Sequence, residues 1–277
     1  MLIRVGYDMA FHCPAPLAMV LMLYVHPSRV STIRRPERLA VAPWVAVSEY
    51  TDTFGNRCGR LLVPSGRVVL RNEAIVEDSG QPDPQAWNAP QYNVQDLPDD
   101  MLLFLLASRY CEVDSALNDL AGTLFNSTPP GWPRVQAICN FVHQHIRFDY
   151  MQARANRTAW KAFGERTGVC RDYVHLAITL CRCMNIPARY CTGYLGDIGV
   201  PPSPHPMDFS AWFEAFLGGQ WYAFDPRNNV PRIGRILMAR GRDAADAALT
   251  TTFGVNELAS FTVWTDEVLD EILRQSQ

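Results

Sequence analysis

"TGVCRDYVHLAITLCRCMNIPARYCTGY", residues 167–194, combines a predicted helix with a predicted strand, and a cysteine stands at the start of the helix. From that cysteine onward, apolar residues recur every three to four positions, as on the core-facing side of a helix. The positions on that side are Cys170, Val174, Ala177, Ile178, Cys181 and Met184. Gly168 is predicted to break the preceding helix, and Pro187 ends this one. The pattern therefore predicts a core helix with Cys170 at its N-terminal end.

The N-terminal end of a helix is a favourable place for a reactive thiol. The positive end of the helix dipole lowers the pKa of a thiol there and raises the reactive thiolate fraction. Arg171 is expected to add to this effect. The same position also suits the first core residue of a buried helix, and a thiolate nucleophile needs a base and a group that orients the base. The helix by itself leaves both interpretations of Cys170 open.

Two histidines are candidates for the base. His175 follows Cys170 by five residues, which places it about 140° around the helix. It shares a polar face with Arg171 and Arg182 and is therefore expected at the surface or in an interface. His205 lies in the proline-rich loop "GVPPSPHPMD". It is either a base that moves into the site or a surface residue of the loop.

A second stretch, "DFSAWFEAFLGGQWYAFD" at residues 208–225, predicts a hairpin. Two segments rich in apolar and aromatic residues flank Gly218 and Gly219, and paired glycines are typical of a tight turn between antiparallel strands. Ser210 stands near the start of the first strand, and Asp225 stands at the end of the second. The sequence therefore predicts two paired strands that begin and end with polar side chains.

The period of the apolar pattern divides the chain into three parts. Residues 1–78 alternate apolar and polar positions between turn signals, which is typical of a small antiparallel β-sandwich. Residues 79–96 are polar, proline-containing and aperiodic, and they predict a linker. From residue 97 to residue 277, helical periodicity comes first and strands follow. This order favours an α+β domain in which helices pack on an antiparallel sheet.

Composition excludes several classes of function. The 277 residues carry a net charge of −3 without a basic run, so we expect no nucleic acid and no anionic membrane as a partner. The apolar run at 17–25 is too short to span a bilayer, and no secretory signal is predicted, so the expected compartment is the cytoplasm. Eight cysteines form no disulfide framework and no CxxC pair. With no phosphate loop, dinucleotide fingerprint or HExxH motif, we expect no metal and no organic cofactor.

Four separated motifs together resemble the transglutaminase-like superfamily, in particular its bacterial cysteine-protease-like members with a papain-like fold. They are a Gly-x-Cys helix start, an Ile-Pro-Ala-Arg-Tyr turn into a strand, a Ser-Ala-Trp strand where the family has His-Ala-Trp, and a Trp-x-x-Phe-Asp strand. They stand in the family's order, so the resemblance covers roughly residues 97–230. The segment "EYTDTFGNRC" also resembles the β domain that precedes this core in many bacterial members.

The resemblance implies a role for each matching position. Cys170 falls on the nucleophile, and Asp225 falls on the acid that orients the base. The family's catalytic histidine falls on Ser210, and a histidine that some members carry three residues beyond the acid falls on Asn228. Ser210 and Asp225 are implied to lie on adjacent strands that face the start of the helix. Serine does not titrate near neutral pH and cannot shuttle a proton. His205 is the remaining substitute base.

The resemblance implies a thiol-dependent hydrolase or acyltransferase that acts on peptide amide or ester bonds. Loss of general acid–base help alone costs typically about 10²–10⁴-fold, so attack on a reactive ester or thioester is expected to be easier than expulsion of an amine. The alternative is a catalytically inactive peptide-binding or scaffold protein that keeps the fold. A peptide or small acyl compound is the expected substrate, and peptide-synthesis proteins are the partners that the resemblance implies.

Overall fold

A computed structural model describes residues 1–203 and 205–268 of the chain. Its N-terminal part consists of strands, and the long ones alternate buried and exposed residues as the sequence pattern predicts. An N-terminal β region is therefore present, as the sequence predicts. Its strands are β1 (Leu2–Cys13), β2 (Leu17–Leu21), β3 (Ile33–Arg35), β4 (Ala40–Ala42), β5 (Ser48–Thr51), β6 (Arg57–Val63) and β7 (Gly66–Glu77).

Helices come first after the β region, and strands dominate afterwards. The helices are α1 (Asp99–Leu102), α2 (Leu117–Phe125), α3 (Trp132–His145), α4 (Ala159–Glu165) and α5 (Cys170–Cys183). The strands are β8 (Arg147–Phe148), β9 (Thr167–Gly168), β10 (Ala188–Tyr194), β11 (Ser210–Leu217), β12 (Gln220–Phe224), β13 (Ile236–Gly241), β14 (Thr250–Phe253) and β15 (Glu257–Val268). Within the described residues, no helix is both long enough and apolar enough to cross a bilayer.

The second half of the chain is built around one antiparallel sheet of strand order β12-β11-β10-β13. Helix α5 packs on one face of this sheet and is covered on its other sides by α2, α3 and α4. The opposite face packs against the N-terminal strands, through the core residues Tyr194, Phe209, Ile236 and Met238. This helix-on-sheet arrangement confirms the predicted α+β class.

The C-terminal strands do not stay with this sheet. Strand β15 pairs with β1 over nearly its whole length, from Leu2 opposite Val268 to His12 opposite Glu257. Strand β14 pairs with β2, so both strands complete the N-terminal sheets although the predicted boundary assigns them to the region 97–277. A long strand such as β1 leaves a row of unpaired backbone groups unless another strand covers its edge. Residues 269–277 of the predicted second domain lie outside the described residues.

Candidate active site

The start of α5 is determined by a buried carboxylate. Asp172 accepts a hydrogen bond from the N–H of Val169 at 2.9 Å, and its Oδ2 also accepts one from Arg157 Nη1 at 2.7 Å. The side chains of Asp172 and Arg157 are both fully buried. The carboxylate thus closes the first turn of the helix, and its own charge is compensated by the guanidinium. The helix begins at Cys170, as predicted.

Gly168 has a different role from the predicted one. Helix α4 ends at Glu165, and Arg166 follows in the left-handed conformation with φ of 52°. Gly168 lies two residues later in β9, where a Cβ atom would stand 2.5 Å from Asp172 Oδ2. Interpretation of Gly168 as a helix breaker is therefore wrong. It is a close-packing position that lets the buried carboxylate approach the backbone.

His175 lies inside the protein, so the prediction that it is a surface residue is wrong. Its Nε2 accepts a hydrogen bond from the N–H of Ala244 at 3.2 Å, and its ring stacks on Tyr110. Arg182 on the same helix face is also buried and donates to the carbonyl of Ala188. Burial lowers the pKa of His175 well below its usual value. The polar residues on one face of α5 do not indicate exposure, because neighbouring elements enclose this helix on nearly every side.

Cys170 lies partly exposed where two clefts meet. The polar cleft has a volume of about 330 Å³ and includes among its lining residues Tyr150, Asp197, His205, Arg227, Asn228 and Arg232. The apolar cleft has a volume of about 670 Å³ and includes Met9, Tyr190, Ala244, Ala247, Leu258 and Phe261. Both clefts are lined by Cys170, Asp208, Phe209 and Ser210. A substrate that fills both clefts therefore passes the thiol.

The thiol of Cys170 is less acidic than its helix position predicts. Burial raises the pKa of Cys170 to about 11. The charge of Arg227 and a hydrogen bond from the N–H of Ala211 act in the opposite direction, and the carboxylates of Asp208 and Asp225 add to the increase. The expectation of a lowered pKa is therefore wrong, because enclosure by the sheet outweighs these favourable contacts. At neutral pH the thiol is protonated, so it needs a proton acceptor.

Ser210 is the first residue of β11 and borders both clefts together with Cys170. Its Cα stands opposite Gly193 of β10, and its carbonyl accepts a hydrogen bond from Thr192 Oγ1 at 3.0 Å. Ser210 is buried, with only 8% of the residue exposed. The structure thus brings together the thiol and the position where the resemblance implies a histidine.

The carboxylate of Asp225 is already occupied by four donors. Its Oδ1 accepts the N–H groups of Arg227 and Asn228 at 3.1 and 2.9 Å. Its Oδ2 accepts Asn228 Nδ2 at 2.8 Å and Arg235 Nη2 at 3.0 Å. Burial alone would raise the pKa of Asp225, but the charge of Arg235 and these hydrogen bonds outweigh it and lower the pKa. Two carboxylate oxygens offer about four lone-pair sites, so no site remains for an imidazole.

Asp225 and Ser210 lie on the same side of the sheet. Continuing the register of β11 with β12 by one step places Trp212 opposite Asp225, and Ser210 comes two residues before Trp212. The guanidinium of Arg235 lies 5.2 Å above the Trp212 ring, as this arrangement requires. Among the described lining residues, however, Asp225 is absent from both clefts, whereas Asn228 borders the polar one. Asn228 therefore stands between the acid and the cleft.

His205 lies exposed at the rim of the polar cleft. Its ring meets the ring of Tyr150 edge to face, with centroids 5.6 Å apart. Within residues 1–203 and 205–268, no hydrogen bond joins this ring to Cys170 or Asp225. The predicted substitute base thus borders the polar cleft but forms no hydrogen bond with Cys170 among the described residues.

Three side chains beside the thiol went unnoticed in the sequence: Tyr150, Asp208 and Arg227. The guanidinium of Arg227 lies 4.0 Å above the ring of Phe148, and Tyr150 borders the same polar cleft. Asp208 could have been found only by its closeness in the chain to Ser210, which it precedes by two residues. Tyr150 and Arg227 come from other segments, and no local pattern marks them.

The other thiols of the chain are mostly interior. All eight cysteines are free, and all but Cys170 and Cys183 are buried. Cys183 lies at the opposite end of α5, and burial raises its pKa to about 11 as well. Among the residues that the structure describes, no group of three or more His, Cys, Asp or Glu side chains is placed to hold a metal ion.

Comparison with known proteins agrees with this architecture. The family model of the transglutaminase-like superfamily matches residues 119–226. A solved structure from Cytophaga hutchinsonii, named a "putative cysteine protease", is 30% identical with a TM-score of 0.83 and covers 96% of this chain and 90% of that one. An uncharacterized protein of Mycobacterium leprae is 39% identical over 122 residues, which are 42% of this chain and 43% of that protein. One of Mycobacterium bovis is 26% identical over 234 residues, which are 76% of this chain and 73% of that protein.

Proposed function

This chain belongs to the transglutaminase-like superfamily, and we propose that it is a thiol-dependent hydrolase or acyltransferase that acts through Cys170. The observation that carries the proposal is the position of this thiol, at the N-terminal end of α5 and at the junction of the two clefts. The Cytophaga hutchinsonii protein, which has the same fold over nearly the full chain, is named a "putative cysteine protease", and this name supports the same class. The bonds attacked are peptide amides or esters.

The substitution at Ser210 restricts the substrates. The pKa of Cys170 is about 11, so pH 7 lies about four units below it. Only about one molecule in 10⁴ then carries a thiolate at Cys170. Ser210 cannot supply the imidazole that usually protonates the leaving group. The alkoxide of an acidic alcohol and the thiolate of a thioester leave without that help, whereas an amine does not. The enzyme therefore acts slowly and prefers esters and thioesters to amides.

A matched pair of cysteine variants tests this function. Cys170→Ser is expected to abolish hydrolysis of p-nitrophenyl acetate and the transient acyl-protein that mass spectrometry detects. Cys183→Ser removes a partly exposed thiol from the same helix with a pKa that is also about 11, so it is expected to retain both. Equal hydrolysis by the wild-type protein and Cys170→Ser would refute the proposed function.

A second candidate is a catalytically inactive protein that binds peptides in the two clefts. It is favoured by the occupied carboxylate of Asp225, whose four donors leave no place for a base. Slow alkylation of Cys170 by iodoacetamide at pH 7, together with no acyl-protein from any ester or thioester, would support it. Detection of an acyl group on Cys170 after incubation with a thioester would exclude it.

A further inference from the structure

Asp208 occupies a particular position relative to the thiol. It precedes β11 by two residues and lines both the polar and the apolar cleft. Among the described lining residues, it is the one carboxylate that the two clefts share, because Asp197 borders only the polar cleft. Its charge acts on Cys170 more strongly than that of Asp225 does. Asp208 is therefore the carboxylate most closely associated with the nucleophile.

The carboxylate of Asp208 is also available, unlike that of Asp225. Its Oδ1 accepts the N–H of Phe209 at 2.6 Å. In the described part of the chain, its Oδ2 accepts no hydrogen bond, and the residue is half-buried. One oxygen thus orients the group, while the other is uncommitted in a residue that lines both clefts. Burial raises the pKa of Asp208 from its usual value, although Arg227 and the N–H of Phe209 oppose the increase. A raised pKa makes a carboxylate a better proton acceptor.

We propose that Asp208 is the proton acceptor for the Cys170 thiol, in place of the imidazole that Ser210 does not supply. The inference rests on the proposed function, since it assigns a base to the same site. Arg227, whose guanidinium lies over Phe148 beside the thiol, is placed to stabilise the negative charge that develops on the substrate oxygen.

The proton then follows a balanced path. As sulfur attacks the substrate carbonyl, the S–H proton passes to Oδ2 of Asp208 and the C=O electron pair moves to oxygen. When the tetrahedral intermediate collapses, the bond to the leaving group breaks and Asp208 returns the proton to that group. In the second half, a water or another acceptor nucleophile attacks the thioester, gives its proton to Asp208, and the departing sulfur takes the proton back.

The pH dependence of this mechanism differs from that of a histidine enzyme. Other titratable and charged groups face Asp208 from both clefts, and they are Tyr110, Tyr150, Arg154, Cys170, Arg171, Tyr190, Asp197, His205, Arg227 and Arg232. Activity is expected above the raised pKa of Asp208 and lost as pH falls through it. Turnover should therefore fall in the acid range where a raised aspartate titrates, without a step at the usual histidine pKa near 6.5.

Asp208→Asn separates catalysis from electrostatics because it moves two measurements in opposite directions. Turnover of p-nitrophenyl acetate is expected to fall by about 10²-fold or more, since the proton acceptor is removed. Alkylation of Cys170 by iodoacetamide is expected to become about threefold or more faster at pH 8, because loss of the negative charge beside the thiol lowers its pKa. A purely structural role of Asp208 does not produce this opposition.

Two further variants complete the experiment. Asp208→Glu retains a carboxylate and is expected to recover part of the turnover together with the acid limb of the pH profile. Asp119→Asn removes a charge of the same type from the exposed surface of α2 and is expected to change neither measurement.

The outcomes separate failure of the Asp208 assignment from failure of the proposed thiol-dependent function. Turnover that requires Cys170 but survives Asp208→Asn overturns the assignment of the base alone. Turnover that does not require Cys170 overturns the proposed function and the inference with it. Unchanged alkylation in Asp208→Asn would place the carboxylate too far from the thiol to act on it, and would also overturn the assignment.

Discussion

Replacing Ser210 by histidine introduces an imidazole at the first residue of β11, which borders the same two clefts as Cys170. The gain has an upper limit of about 10⁴-fold, because an imidazole base typically contributes about 10²–10⁴-fold and wild-type Cys170 is almost entirely protonated at pH 7. The full gain needs a carboxylate that orients the imidazole and stabilises the imidazolium. Asp225 lies on the same side of the sheet, diagonal to position 210 and within reach of an aromatic side chain.

The carboxylate of Asp225 is, however, saturated by donors from Arg227, Asn228 and Arg235. Ser210→His alone is therefore expected to raise ester turnover by roughly ten- to hundredfold, at or below the low end of the range for a positioned base. Adding Asn228→Ala removes the donor Nδ2, which lies 2.8 Å from Oδ2 of Asp225, and frees one lone-pair site for the imidazole. The double variant is expected to reach about 10²–10⁴-fold.

The assay is the hydrolysis of p-nitrophenyl acetate from pH 4 to pH 10 by wild-type protein, both single variants and the double variant. Asn228→Ala alone should yield no gain and a loss of stability of about 1.5–3 kcal/mol, the usual contribution of a hydrogen bond to a charged group. The gain of the double variant should exceed the product of the two single effects, with a new pH limb near 6.5. Two results would refute the reasoning: a full gain from Ser210→His alone, or no gain in any folded variant.

Three further predictions follow from the same geometry. His205→Ala is expected to change kcat/KM for the ester less than threefold, because the ring pairs with Tyr150; complete loss of turnover would make His205 the base. Asp172→Ala leaves the buried guanidinium of Arg157 with the half-exposed Glu165 as its remaining partner and should lower the free energy of unfolding in urea by about 3 kcal/mol, whereas a change below 1 kcal/mol would contradict the ion pair. Alkylation of wild-type Cys170 should become about tenfold faster per pH unit from pH 8 to pH 10, since its pKa is about 11; a plateau below pH 9 would exclude that value.

Much of the fold was predictable because its signals are local. Apolar spacing in α5, the glycine turn between β11 and β12 and the alternation in the N-terminal strands depend on residues a few positions apart. The pairing of β15 with β1 was not predictable in this way. It joins residues more than 240 positions apart, and only closure of the sheet edge brings them together.

For the candidate site, too, the sequence predicted the local features and not those that depend on the tertiary structure. The sequence by itself determined that a cysteine begins a helix, that an acid ends a strand and that a serine stands between them in the order of the family. It could not determine the charge state of these groups, because a pKa depends on everything that surrounds a side chain in space. Enclosure raises the pKa of Cys170, and Arg235, ten residues beyond Asp225, helps to occupy that acid.

Only the tertiary structure placed Asp208, with one uncommitted oxygen, at the junction of both clefts and buried His175 under Tyr110. Periodicity reports which face of an element is apolar, not how many neighbours cover the other faces. Because α5 is enclosed on nearly all sides, its polar face carried no information about exposure. The physical reason is that secondary structure responds to near neighbours along the chain, whereas acidity and hydrogen bonding respond to near neighbours in space.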